Sequence, residues 1–272
     1  MSATAGAARS GGRRHRRVFL PVLAGLAALA WLALWAWARS PYGRYLDHGG
    51  DWTASGPAAF LCRAIPGGDV ILPLVLYGAA WILMIAAMML PTTLPLFDIV
   101  DRLTARRPDR GRLLTLLGLG YAAVWGAFGV LAHLLHTALL GLFARIPVLA
   151  WHGWLVGAAG IALAGAFQFS ALKYRCLDEC RAPLGFVMRH WHGGSAARRA
   201  FMLGAHHGLF CVGCCWALML LMFAIGMGSL GWMLLLACAM AVEKNLPWGR
   251  RISAPLGIAL LGGAIAMVIA NV

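Results

Sequence analysis

"RRAFMLGAHHGLFCVGCCWALMLLMFAIGM", Arg198 to Met227, decides the fold. After Arg199 it contains no charged residue, and it exceeds the roughly 20 apolar residues that cross a bilayer as a helix. Yet it holds His206, His207, Cys211, Cys214 and Cys215. Working outward, apolar runs recur at roughly 18–38, 70–90, 113–137, 150–172, 230–242 and 253–271, with 200–223 at the centre of this stretch. The chain is 61% hydrophobic and only 12% charged, about half the charge of a soluble domain. The expected fold is an all-α, polytopic transmembrane helix bundle of about seven spans.

Orientation follows from arginine. "RRHRR" (Arg13 to Arg17), "DRLTARRPDRGR" (Asp101 to Arg112), the segment 173–199 and "EKNLPWGRR" (Glu243 to Arg251) are the basic loops. About seven spans with a cytoplasmic N-terminus put all of them on the inner side. The net charge of +14 is thereby explained without nucleic acid as a partner. The implied organisation is a basic cytoplasmic tail (1–17), a first transmembrane anchor (18–38), an external loop with Cys62 (39–69) and a six-helix core (70–272). "AWA" at Ala36 to Ala38 resembles a signal cleavage site, but the preceding apolar stretch is longer than a signal core of about 7–15 residues. Gly153, Gly157, Gly160 and Gly165 in the fourth span point to close helix packing.

Four clusters carry possible chemistry. On a helix, with about 100° per residue, His207, Cys211 and Cys214 form one stripe, Cys215 lies on its edge, Met222 follows in the same sector and Trp216 falls opposite. A 1.5 Å rise from Ala200 sets Cys211 about 16 Å deep. Cysteine alone is often a small buried hydrophobe, which is the reading for Cys238 taken singly. Thiols and imidazoles grouped inside a membrane are a functional signal, and they suit Cu(I) or Zn(II).

The second cluster, "KYRCLDECRAP", places Cys176 and Cys180 four residues apart, on one helix face. Nearby cations favour their thiolates. The third, "MIAAMMLPTTLP", has Met84, Met88, Pro91 and Pro95 within about 60° of one another. Its prolines should kink or end the helix. In the fourth, Glu243 precedes Lys244 at the inner end of the sixth span, at the expected depth of Cys176 and Cys180; it is a ligand, a proton acceptor or half of an ion pair with a loop arginine. His190 and His192 read as solvent-exposed. There is no phosphate-binding loop and no nucleophile elbow, which argues against ATP as an energy source within this chain.

"AAMMLPTTLP" (Ala86 to Pro95), "LKYRCLDECRAP" (Leu172 to Pro183), "HHGLFCVGCCWALM" (His206 to Met219) and "VEKNLPWG" (Val242 to Gly249) together resemble the bacterial predicted metal-binding integral membrane proteins, domain of unknown function 2182. The resemblance covers roughly residues 70–270. "FQFSALK" (Phe167 to Lys173) departs from it, lacking a proline before the lysine. It implies an inner-membrane location and metal binding at Cys176, Cys180, Cys211, Cys214 and Cys215. Geometry and depth add His207 and Glu243, and His206, beside His207 in the chain, is a further candidate ligand.

The sequence therefore reads as an inner-membrane protein that binds a soft metal ion, with Cu(I) preferred and Zn(II) or Hg(II) as alternatives. It transports the ion or delivers it to a partner such as a metallochaperone or metalloprotein. A cytoplasmic station (Cys176, Cys180, Glu243) and an intramembrane station (His207, Cys211, Cys214, Cys215) would exchange ligands stepwise. Two rivals remain. One is a thiol–disulfide oxidoreductase passing electrons between Cys176/Cys180 and Cys211/Cys214; the other is a non-catalytic membrane scaffold subunit.

Overall fold

The structure is a computed structural model and describes residues 21, 24–39, 68–143, 145, 153–225 and 230–271. The basic tail, the loop with Cys62 and most of residues 144–152 lie outside the described residues. Those described form ten α-helices and no strand. We number them α1 (Ala24–Arg39), α2 (Gly68–Met88), α3 (Leu90–Leu103), α4 (Arg110–Phe143) and α5 (Gly153–Phe167). There follow α6 (Ala171–Arg181), α7 (Pro183–His190), α8 (Ala196–Ile225), α9 (Leu230–Asn245) and α10 (Ser253–Asn271), the last preceded by a 3-10 turn (Gly249–Ile252).

Among the described residues each expected apolar run overlaps a helix, but those at 70–90 and 150–172 run across a helix break. By length and composition, three are long and apolar enough to cross a membrane: those at Arg110–Leu139, Ala196–Met222 and Gly249–Asn271. Two bent pairs, α2–α3 and α5–α6, would raise the number to five. The sequence estimate of about seven also uses α1 and α9, and α9 has only 16 residues, short of the roughly 20 that a perpendicular span takes.

Both bends have local causes. Between α2 and α3 the direction changes by 67°, with Pro91 in the first turn of α3 and Pro95 inside it. Pro91 has no N–H for the carbonyl four residues earlier, which is that of Ala87. Trp31 supplies the missing donor, its indole N–H reaching Ala87 O at 3.0 Å. The Thr92 and Thr93 hydroxyls donate to the Met89 and Leu90 carbonyls, each at 2.8 Å. The expected proline kink is present, and α1 is tied into it. Between α5 and α6 the bend is 62° and uses no proline. Ser170 caps α6, its Oγ accepting from Lys173 N at 3.1 Å.

Close packing sets the frame. The long helices α4 and α8 approach so tightly that a Cβ on Gly204 would stand 2.0 Å from Leu117 O. Gly165 of α5 faces α10, where a Cβ would lie 3.0 Å from Leu261 N and 3.1 Å from Gly257 O. Of the glycines expected to pack closely in the fourth span, Gly165 makes such an approach, whereas a Cβ on Gly157 would be in ordinary contact, 3.7 Å from Met267 Sδ. Helices α6 and α9 pack against α8, and α3 packs against α9. Their meeting place is the chemical centre.

Candidate metal-binding site

The stripe on α8 faces inward. His207 is 3% exposed, Cys211 0%, Cys214 2% and Cys215 1%, and Met222 is fully buried. Trp216, on the other side, is half-buried and packs edge-on against Phe167 at 4.9 Å. The Cys214 and Cys215 thiols donate to Cys211 O at 3.1 and 2.8 Å. Cys211 Sγ itself lies 3.1 Å from the Tyr121 hydroxyl of α4.

The second thiol pair comes to the same place. On α6, Cys176 is buried and Cys180 half-buried. The Cys180 thiol interacts with those of both Cys211 and Cys214. Cys176 nests against α8 at Gly213, where a Cβ would meet its Sγ at 2.6 Å. Gly213→Ala should therefore push α6 and its two thiols off α8. Over-packing of this kind costs about 1–3 kcal/mol. Thermal unfolding of the purified variant, together with its metal content, checks this; wild-type values for both would remove Gly213 from the design of the site.

A buried cation completes the cluster. Lys244 of α9 is 7% exposed. Its Nζ donates to Cys211 Sγ at 3.0 Å and to Thr92 Oγ1 at 3.4 Å, and it approaches Met89 Sδ at 3.8 Å. Its charge also acts on Cys214, Cys215 and Cys180. The proline break between α2 and α3 is what delivers Met89 and Thr92 here.

Glu243, one residue earlier, is committed elsewhere. Its carboxylate accepts from Lys173 Nζ at 2.8 and 3.0 Å and from Ser253 Oγ at 2.7 Å. Lys173 is fully buried and also donates to Gln168 Oε1. Arg181 donates to the carbonyls of Glu243 and Pro247. This network joins α6, α9 and the start of α10. Of the roles open to Glu243, the structure displays the ion pair, with Lys173 rather than a loop arginine.

The histidines line a flank of the cluster. The His207 ring lies 5.4 Å from Phe186 and 6.0 Å from Tyr121. Its buried Nδ1 has no hydrogen-bond partner among the described residues, and neither has that of His206. His206 stands 5.1 Å from the His190 ring. His190 is not free in solvent, as expected of it, but half-buried on Phe186; His192 is exposed.

The cluster is thus five thiols, a thioether and an imidazole with an orphaned nitrogen, which fits a soft monovalent or divalent ion. As it stands, no three or more His, Cys, Asp or Glu side chains among the described residues form a ready-made metal-binding group.

The sequence model of the copper chaperone family PpoB2 matches residues 78–267. The chain belongs to that family. No curated protein and no solved structure matches it. Family membership gives the protein a copper-related role, and the matched range contains every thiol of the cluster.

In this member of the family the two thiol pairs expected at different depths meet in one place. Sequence depth separated Cys176 and Cys180 from Cys211, whereas the 62° bend before α6 turns that helix back across α8. Lys244, Tyr121, Met89 and Thr92 were not among the expected site residues. A lysine at the end of an apolar run was the available sign for Lys244. Nothing in the local pattern marked Tyr121.

Proposed function

We propose that the protein is a multi-pass chaperone of the bacterial inner membrane that holds Cu(I) in a buried thiol cluster and hands it to a metalloprotein partner. The observation that carries this reading is the convergence of Cys180 on Cys211 and Cys214 within the core, in a chain of a copper chaperone family. The proposed donors are two thiolates at a time drawn from Cys180, Cys211 and Cys214, with Cys176, Cys215, Met89 and His207 available for ligand exchange. Soft sulfur donors select Cu(I) over hard ions. Exchange among neighbouring sulfurs would move the ion without exposing it bare to lipid. Transport across the bilayer is a finer version of the same proposal.

The membrane location rests on large apolar side chains left outside the bundle. Leu131 and Leu134 of α4 are 63% and 59% exposed, and Ile258 and Ile269 of α10 are 65% and 73%. Such surfaces are costly in water and natural in lipid. Seven spans with the N-terminus and the basic loops inside complete this proposal.

The same approach of Cys180 to Cys211 favours a second reading, thiol–disulfide exchange, because a mixed disulfide needs two sulfurs in reach. Acid-trapped alkylation of growing cells separates the two. The copper reading expects Cys180, Cys211 and Cys214 to be reduced and purified protein to bind close to one Cu(I), with Cys180→Ser weakening retention. A Cys180–Cys211 disulfide that turns over during growth would reverse the order.

A further inference from the structure

We propose that Lys244 is a specificity-determining residue: its buried ammonium makes the thiol cluster select a monovalent over a divalent soft ion. The inference rests on the reading of the cluster as a metal site and adds the charge of the cargo. A lysine ammonium has three donors. Here they face Cys211 Sγ, Thr92 Oγ1 and Met89 Sδ, all within the site. The side chain is 7% exposed, so water does not neutralise the charge.

The adjacent acid in the chain does not neutralise it either: Glu243 is held by Lys173 and Ser253. The remaining source of negative charge is the thiol cluster itself. An uncompensated buried charge is strongly unfavourable, so the site is best filled when thiolates, metal and ammonium sum to zero.

Two thiolates with Cu(I) carry one negative charge, and Lys244 cancels it. Two thiolates with a divalent ion are already neutral, and Lys244 leaves a surplus positive charge. A divalent ion reaches balance only by recruiting a third thiolate, while Zn(II) also calls for a fourth ligand in a closed tetrahedral shell. Lys244 therefore acts mainly by raising the free energy of the wrong ion. It need not leave the site when the metal arrives, since Thr92 and Met89 still hold it beside the sulfurs.

The test uses full-length protein in detergent, titrated with Ag(I) and Cd(II) in competition. Wild type should prefer Ag(I). Lys244→Met, which keeps most of the length and loses the charge, should lower the Ag(I)/Cd(II) preference by about tenfold or more. Lys244→Arg should keep it. X-ray absorption of Cu(I)-loaded wild type should show two sulfur ligands, and this arm needs no variant to fold. An unchanged preference in Lys244→Met, or a shell of three or four sulfurs in wild type, overturns the inference and leaves the copper reading standing. Failure of wild type to bind Cu(I) or Ag(I) through its thiols overturns the copper reading itself.

Discussion

Cys211→Ser should abolish most Cu(I) retention, a loss beyond the roughly 10–100-fold that follows removal of a group merely supporting a metal ligand. Cys211 is the hub of the cluster. Its sulfur meets Lys244 at 3.0 Å and Tyr121 at 3.1 Å, and it interacts with Cys180 on the neighbouring helix. Serine keeps the volume and a polar atom but offers a hard, neutral oxygen, a poor ligand for Cu(I). It also deprives Lys244 of its principal negative partner. Cys238→Ser is the control, because Cys238 is exposed on α9, away from the buried stripe. Copper analysis of both purified variants, with a Cu(I) competitor ligand to rank affinities, checks the expectation. Equal retention by Cys211→Ser and wild type would remove the cluster as the metal site.

Lys173→Met should destabilise the protein by about 3–5 kcal/mol, the usual consequence of leaving one charge of a buried pair alone. Lys173 is fully buried and Glu243 is 2% exposed, so neither side chain has water to fall back on. The double change Lys173→Met with Glu243→Gln should recover most of the loss, because it removes both charges together. The site feels the single change too. Lys173 sits on the helix that carries Cys176 and Cys180, and Glu243 adjoins Lys244, so loosening the pair slackens α6 against α9. Denaturant unfolding in detergent measures the first effect and Cu(I) affinity the second. Unchanged stability in Lys173→Met would mean that the network does not hold these helices together.

Much of the site was legible because helices translate spacing into geometry. The period of 3.6 residues put His207, Cys211 and Cys214 on one stripe, and the buried face of α8 is that stripe. The spacing of four from Cys176 to Cys180 likewise fixed a shared face on α6. Proline chemistry foretold the break near Met89, since a missing N–H acts locally. Glu243 was harder to read. Which cation it meets depends on Lys173, 70 residues away in the chain.

What the sequence determined by itself, then, is the helical class, the apolar runs, the α8 stripe and the soft-donor chemistry, all of which are set by residues within a few turns of one another. Tertiary structure alone decided that the Cys176/Cys180 pair joins Cys211 and Cys214 in one cluster, that Lys244 points among the sulfurs and that Glu243 turns to Lys173. The physical reason is that these contacts depend on two helix bends, of 67° and 62°, and on how closely glycine-faced helices approach. Neither a bend angle nor an approach distance between helices far apart in the chain is written in local periodicity.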